Sequence, residues 1–195
     1  MIIVSTDGSC LRNPGGAIGW AWVDHRGPSA SGAATSGTNQ IAELRAVLEA
    51  IVAHPGSEPL LIESDSLYAI KCASEWVSGW RLNGWRTSTG GPVKNVELVR
   101  QIDQAIVSRP GPVRFRWVRG HVGNYFNEQA DLLAGEAARR ATVPETQHVH
   151  APSPPQNEGP RAAQNRRATE RSAETTEPIT VGPVSAPSTQ ILTLF

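Results

Sequence analysis

Cysteine is scarce in this chain: Cys10 and Cys72 are the two it has, far apart and in no metal-type spacing. A disulfide framework is not expected, and a reducing compartment is the default setting. Neither sign of charge is in excess, with 18 Lys and Arg against 18 Asp and Glu. Any nucleic-acid binding must therefore come from a local basic patch. No apolar run is long enough for a membrane span, and no basic-then-apolar leader opens the sequence. A cytoplasmic protein without a membrane partner is expected. Internal repeats are absent too. What remains is 195 residues, enough for one good core and a tail.

The chain is organised around its first apolar run. Ile2, Ile3 and Val4 lead through Ser5 and Thr6 into Asp7 and Gly8, which predicts a buried strand over 2–7 with a carboxylate at its end. An acid there is costly to bury without a partner. A second strand is expected over 18–23 and a weak third over 29–36, joined through the turn at Asp24 to Gly27. Ile41, Leu44, Val47, Leu48 and Ile51 then recur at three and four residues, one apolar stripe on a helix over 40–53, with Glu43 beside it. Leu60 to Ile62 run into Glu63, Ser64 and Asp65, repeating the grammar of the first strand. A parallel pairing of the two would set Asp65 beside Asp7. Further helices are expected over 66–77, 96–107 and 125–139, and a half-buried strand over 113–118. Three strands in sequence followed by strand–helix alternation predict an α/β fold, a mixed sheet with helices on its faces.

After Arg140 no apolar period survives. A domain over 1–140, a disordered linker over 141–189 and a short peptide over 190–195 are expected.

Asp7 and Asp65 at strand ends, with Glu43 and Asp131 early in helices, are four acids in comparable places. Carboxylates that converge repel unless cations neutralise them. Hard oxygen ligands without Cys or paired His point to Mg²⁺, with Mn²⁺ able to substitute. Two such ions can activate water and stabilise a leaving oxygen on a phosphodiester. Any one of these acids alone would read as a helix cap or a solvated charge.

Their contexts decide. The chain carries TDGSC from Thr6 with NPG at Asn13, TN-x₃-EL from Thr38, ESDS-x-YA from Glu63 and W-x₃-W-x₄-W from Trp76. It continues with PVKN-x-EL from Pro92 and W-V-x-G-H-x-G-x₃-NE-x-AD-x-LA from Trp117. Six motifs in register over about residues 1–140 resemble the bacterial type I ribonuclease H family. The resemblance implies a mixed five-stranded sheet, three antiparallel strands and then parallel ones, flanked by helices. It implies an endonuclease that hydrolyses the RNA strand of RNA–DNA hybrids with two metal ions, leaving 5′-phosphate and 3′-hydroxyl ends. Asp7 would bridge both ions, Asp131 would complete one site, and Glu43 and Asp65 the other. His121, flanked by Gly120 and Gly123, would assist proton movement or product departure. Cys10, Asn13, Asn39 and Gln40 match positions that touch the minor groove and backbone. Thr38 and Asn95 match positions around a DNA-strand phosphate, and Trp76 one that packs on deoxyribose. Arg81, Arg86 and Lys94 would meet phosphates, whereas Trp80 and Trp85 read as core. Two departures stand out. The protrusion around Arg81-Leu82-Asn83 is less basic than the family's best-known members, and Leu67 replaces a polar residue. Weaker, more salt-sensitive hybrid binding is expected.

A non-catalytic hybrid reader of the same fold is the competing interpretation. A nuclease acting on DNA junctions or single strands is a third, against which the Asn and Trp positions speak. The chain's last residues, Gln190, Leu192, Leu194 and Phe195, resemble a bacterial sliding-clamp-binding peptide. An apolar anchor on a solvated tether suits docking in a hydrophobic pocket. The domain is expected to be a monomer, with primers or R-loops as its hybrids.

Overall fold

The first apolar run forms the central strand of the sheet, β1 (Ile2–Cys10). A computed structural model describes residues 1–142; the linker from residue 143 and the terminal peptide expected over 190–195 lie outside the described residues. The other strands are β2 (Ile18–Asp24), β3 (Ser29–Ala34), β4 (Leu60–Ser64) and β5 (Val113–Trp117). They form one five-stranded sheet in the order β3-β2-β1-β4-β5. β1 to β3 are antiparallel neighbours, and β4 and β5 add in parallel. This is the mixed sheet expected from the sequence.

One boundary differs in a way that matters. Asp7 was expected at a strand end, yet β1 runs three residues further, and Asp7 pairs with Ala21 inside it. The parallel ladder with β4 stops at Thr6 opposite Ser64, while the antiparallel ladder continues to Cys10 opposite Ile18. Asp7 is thus the first residue beyond β4's support and still held by β2. Asp65 follows β4 directly. Two ladders of unequal length bring the two acids to the same end of the central strands.

One face of the sheet carries the main core. Val4, Leu60, Ile62 and Trp22 meet Leu44, Val47 and Ile51 of α1 (Asn39–Ala53) and Val99 and Ile102 of α4 (Val96–Ser108). Each fully buried aliphatic side chain contributes about 1.5–3 kcal/mol. The opposite face receives α5 (Tyr125–Arg140), which crosses β1, β2 and β3 on Ala130, Ala134, Ala137 and Ala138. Leu133, one residue before Ala134, is only half-buried.

The helix expected over 66–77 is in fact longer and broken in pitch. It comprises α2 (Leu67–Ile70), a π-helical stretch (Lys71–Trp76) and α3 (Val77–Leu82). Ser74 Oγ donates to the Ile70 carbonyl at 2.7 Å, a side-chain intrusion into the ladder that accompanies such widening. Trp80 and Trp85 pack against the main core, as expected. Trp76 stays 39% exposed.

Arg109 ties the loops at the far end of the sheet. It is 7% exposed and donates to the carbonyls of His54 at 2.7 Å, Pro112 at 3.4 Å and Glu58. Arg109→Ala should cost about 3 kcal/mol, because buried carbonyls lose a charged donor. Urea denaturation checks this; a loss under about 0.5 kcal/mol would contradict it. Among the described residues, no helix is long and apolar enough to cross a membrane.

Candidate active site

Each acid reaches the site for a local reason. Thr38 caps α1: its Oγ1 accepts from the Ile41 N–H at 3.2 Å, which starts the helix early enough to put Glu43 in its second turn. Gly8 lets that turn lie on β1. A Cβ at Gly8 would sit 2.3 Å from the Glu43 nitrogen, so the backbone there admits no side chain. At Gly120 a Cβ would sit 2.2 Å from the Asp65 Oδ2, so a side chain there would displace that carboxylate.

Asp7, Glu43 and Asp65 therefore converge, with ligand oxygens all within 4.8 Å of one another. At an effective dielectric of about 20, two such charges repel by roughly 3 kcal/mol. Asp7 is 6% and Glu43 7% exposed, so water screens them little. Burial first, and then the charges of Asp65 and Asp131, push the Asp7 carboxyl from 3.8 to about 8; the Gly8 N–H opposes this. Burial, Asp7 and Asp65 hold Glu43 well above the usual carboxylate range, against donors from Asn39 and Gly8. Asp65 is also raised, mainly by burial. The Oε2 of Glu43 is buried without a hydrogen-bond partner in the described structure. Three hard anionic oxygens, one of them unsatisfied, fit a divalent cation.

Asp131 stands apart from this tight set. Its side chain is 47% exposed, one oxygen lies 3.9 Å from His121 Nδ1, and its charge still reaches Asp7. The four acids expected to meet thus form a close trio and a rim member. His121 is 78% exposed and holds a positive φ of 54° between its glycines. Its ring faces Asp131 and also eases the negative charge of Asp65.

The positions expected to touch nucleic acid fall into two groups. Asn39 Nδ2 donates to Glu43 Oε1 at 3.3 Å, and the Asn39 N–H donates to Asn13 Oδ1 at 3.3 Å. Cys10 Sγ lies 3.9 Å from the Gly37 carbonyl, next to Thr38, and Gln40 is exposed on the first turn of α1. Cys10, Asn13, Thr38, Asn39 and Gln40 thus form a polar rim continuous with Glu43. In the second group, Trp76 and Arg86 line a cleft of about 520 Å³ with Trp80 and Asn83. Arg86 donates to the Gly90 carbonyl, Lys94 is exposed, and Asn95 Nδ2 donates to the Tyr68 hydroxyl at 3.1 Å. Arg81 is drawn elsewhere: its Nε and Nη2 both bind the Asp103 carboxylate of α4, which a reading by sequence spacing could not foresee.

Sequence reasoning missed Asn127. It is 2% exposed, and its Nδ2 donates to Asp7 Oδ2 at 3.4 Å. Its position four residues before Asp131 on one helix face was the available signal.

A profile of the RNase H family matches residues 1–139. The ribonuclease H of Tropheryma whipplei (strain Twist) is 42% identical over 154 residues, covering 78% of this chain and 92% of its own length. That of Polaromonas naphthalenivorans (strain CJ2) is 38% identical, covering 72% and 88%. The crystal structure of LC9-RNase H1, a type 1 RNase H with the type 2 active-site motif, superposes with a TM-score of 0.63. It is 30% identical and covers 72% of this chain and 73% of its own. With the matched profile spanning the sheet, the helices and every acid of the site, the chain belongs to the RNase H family of enzymes.

Proposed function

We propose that the chain is an endonuclease that hydrolyses the RNA strand of RNA–DNA hybrids, using two Mg²⁺ ions. The observation that carries the reading is the trio of Asp7, Glu43 and Asp65, the first two buried and the third half-buried, gathered within 4.8 Å and each with its carboxyl raised above the ordinary range by burial and by its neighbours' charge. Asp7 would serve both ions, Glu43 and Asp65 one, and Asp131 the other. When bound, such ions lower the pKa of water and offset charge on the scissile phosphate. Water oxygen attacks phosphorus and gives up a proton, the bond from phosphorus to the 3′ oxygen breaks, and that oxygen takes up a proton. The products carry a 5′-phosphate and a 3′-hydroxyl. His121, exposed and facing Asp131, is placed to take up or return a proton during turnover.

Selection of the hybrid rests on two surfaces. The rim of Cys10, Asn13, Asn39 and Gln40 offers short polar groups to 2′-hydroxyls and minor-groove edges. Trp76, with its ring partly open, offers a face for deoxyribose, and Thr38, Asn95, Arg86 and Lys94 offer donors to phosphate. Asp103 already occupies two donors of Arg81, which supports the expectation of modest affinity. The phosphate contacts left to Arg86 and Lys94 still make binding electrostatic, so hybrid binding should weaken between 50 and about 200 mM salt, and near-constant binding over that range would contradict this.

The test is a labelled RNA–DNA hybrid with Mg²⁺, beside DNA duplex and single-stranded RNA. Cleavage confined to the hybrid's RNA strand supports the reading. Tight hybrid binding without cleavage would favour the reader that does no chemistry.

We further infer action as a cytoplasmic monomer on primers or R-loops, tethered to a replication sliding clamp through Gln190, Leu192, Leu194 and Phe195. These residues lie outside the described structure, and the inference rests on their pattern alone. Clamp pull-down should fail with Leu194→Ala and Phe195→Ala; undiminished retention would remove the tether.

A further inference from the structure

The amide of Asn127 is the neutral member of an otherwise acidic cluster. Asn124 caps α5 by accepting the Asn127 N–H on its Oδ1 at 3.3 Å, which fixes Asn127 in the first turn. The neighbouring Phe126 ring stacks on His25 at 3.8 Å and 11° between planes, and His25 Nε2 lies 3.0 Å from Ser5 Oγ on β1. The start of α5 is thereby anchored to the strand that carries Asp7. From that anchored position the Asn127 Nδ2 reaches Asp7 Oδ2 at 3.4 Å, across 120 residues of sequence. The same side chain also relieves charge on Asp65.

Two details separate this amide from an ordinary buried helix-start residue. First, its Oδ1 is buried without a partner in the described structure, and the one other such atom is Glu43 Oε2 in the same cluster. Satisfied buried amides are the norm, so two unsatisfied acceptors at one site mark groups that arrive from outside. Second, the residue type suits the task. A lysine would hold Asp7 but bring a charge that competes with a cation. An aspartate would add repulsion. An asparagine offers a donor to the carboxylate and an acceptor to solvent, at no net charge.

We propose that Asn127 is a positioning residue of the divalent-cation site: its Nδ2 fixes the Asp7 carboxylate, and its Oδ1 accepts from water admitted with the cation. The proposal rests on the cation reading of the acidic trio. Asn127 acts through Asp7 and not on the phosphodiester. Outer partners of metal ligands commonly set affinity by 10–100-fold when removed.

The experiment is Mn²⁺ titration of the full chain, without nucleic acid, by calorimetry and by the electron paramagnetic resonance signal of free Mn²⁺. Asn127→Ala should weaken Mn²⁺ binding by about 10-fold or more. Asn127→Leu, close to the native volume, should do the same and serves where the alanine variant does not fold. Asn124→Ala removes the cap of the same helix but leaves the Asp7 donor. It should lower Tm while keeping the Kd for Mn²⁺ within about twofold, because a helix cap affects stability and not the ligand set. Native affinity in the Asn127 variants would overturn the proposal. So would an Asn124→Ala loss equal to theirs, since the role would then be that of the helix start. Asp7→Asn is the control for the underlying reading. If it binds Mn²⁺ as tightly as the native chain, the cation site itself is misassigned, an outcome distinct from failure at Asn127.

Discussion

Asp7→Asn should abolish hybrid cleavage, by about 10³-fold or more, and at the same time stabilise the protein in the absence of metal. The two effects have one cause. Asp7 sits inside β1, 6% exposed, beside two other carboxylates whose ligand oxygens are within 4.8 Å. Folding without a cation raises its carboxyl from 3.8 to about 8 through burial, Asp65 and Asp131. The folded state therefore holds a proton that the unfolded chain releases near pH 4. Above that pH the native carboxylate is destabilising, and Asn removes the charge while preserving shape. The gain at pH 8 should be roughly 2–4 kcal/mol, the lower end allowing for shared titration with Asp65 and Glu43. The loss of activity follows because the amide offers no anionic oxygen to a cation. Urea denaturation in chelator and a hybrid cleavage assay check the pair. A destabilised variant, or one that retains more than a tenth of native activity, would contradict the electrostatic account.

A second large effect concerns pH and metal together. In chelator, native stability should be greatest at mildly acidic pH and fall as pH rises from about 4 to about 8, the window in which the unfolded chain has released the Asp7 proton and the folded state still holds it. The sign is that of a raised folded-state pKa: the contribution is complete below the unfolded value and lost through the folded one. Glu43 and Asp65 are shifted upward too and act in the same direction. Mg²⁺ should reverse the decline. At 100 times its Kd it adds about 2.7 kcal/mol through selective binding to the native state. Binding should also release protons near neutral pH, seen as a dependence of the calorimetric heat on the buffer's ionisation enthalpy. Metal-free stability that rises steadily from pH 5 to pH 8 would contradict this.

Much of this arrangement is legible in the sequence because local pattern and tertiary role coincide. The apolar runs before Asp7 and Asp65 are strands, and the stripe from Ile41 to Ile51 is the buried face of α1. The hairpin of β2 and β3 follows from the turn at Asp24 to Gly27. What escaped depends on partners distant in sequence. Asp7 lies within β1 because β2 outlasts β4 as a partner, and no feature of residues 2–10 encodes that difference. Arg81 is committed to Asp103 because α4 packs on the π-helical stretch that leads into α3. Asn127 resembles a helix-start residue in sequence, and its contact with Asp7 exists only once α5 crosses β1. The π-helical stretch after Ile70 has no periodic signature, since Ser74 widens the turn through one side-chain hydrogen bond.

The site's character also shows a division of labour between backbone and side chains. Gly8 leaves no room for a Cβ against the α1 backbone at Glu43, so the close approach of Asp7 and Glu43 is enforced by main chain as much as by packing. Asn39 and Asn127 then supply neutral donors to Glu43 and Asp7. Neither amide cancels charge, and the cluster keeps its demand for a cation.

That demand is tested most directly by crystals of the native chain soaked in Mn²⁺ and measured for anomalous scattering. The account predicts a strong peak bounded by oxygens of Asp7, Glu43 and Asp65, and its loss in Asp7→Asn crystals. No peak among these side chains at saturating Mn²⁺, or carboxylates that move apart to separate solvent positions, would contradict it.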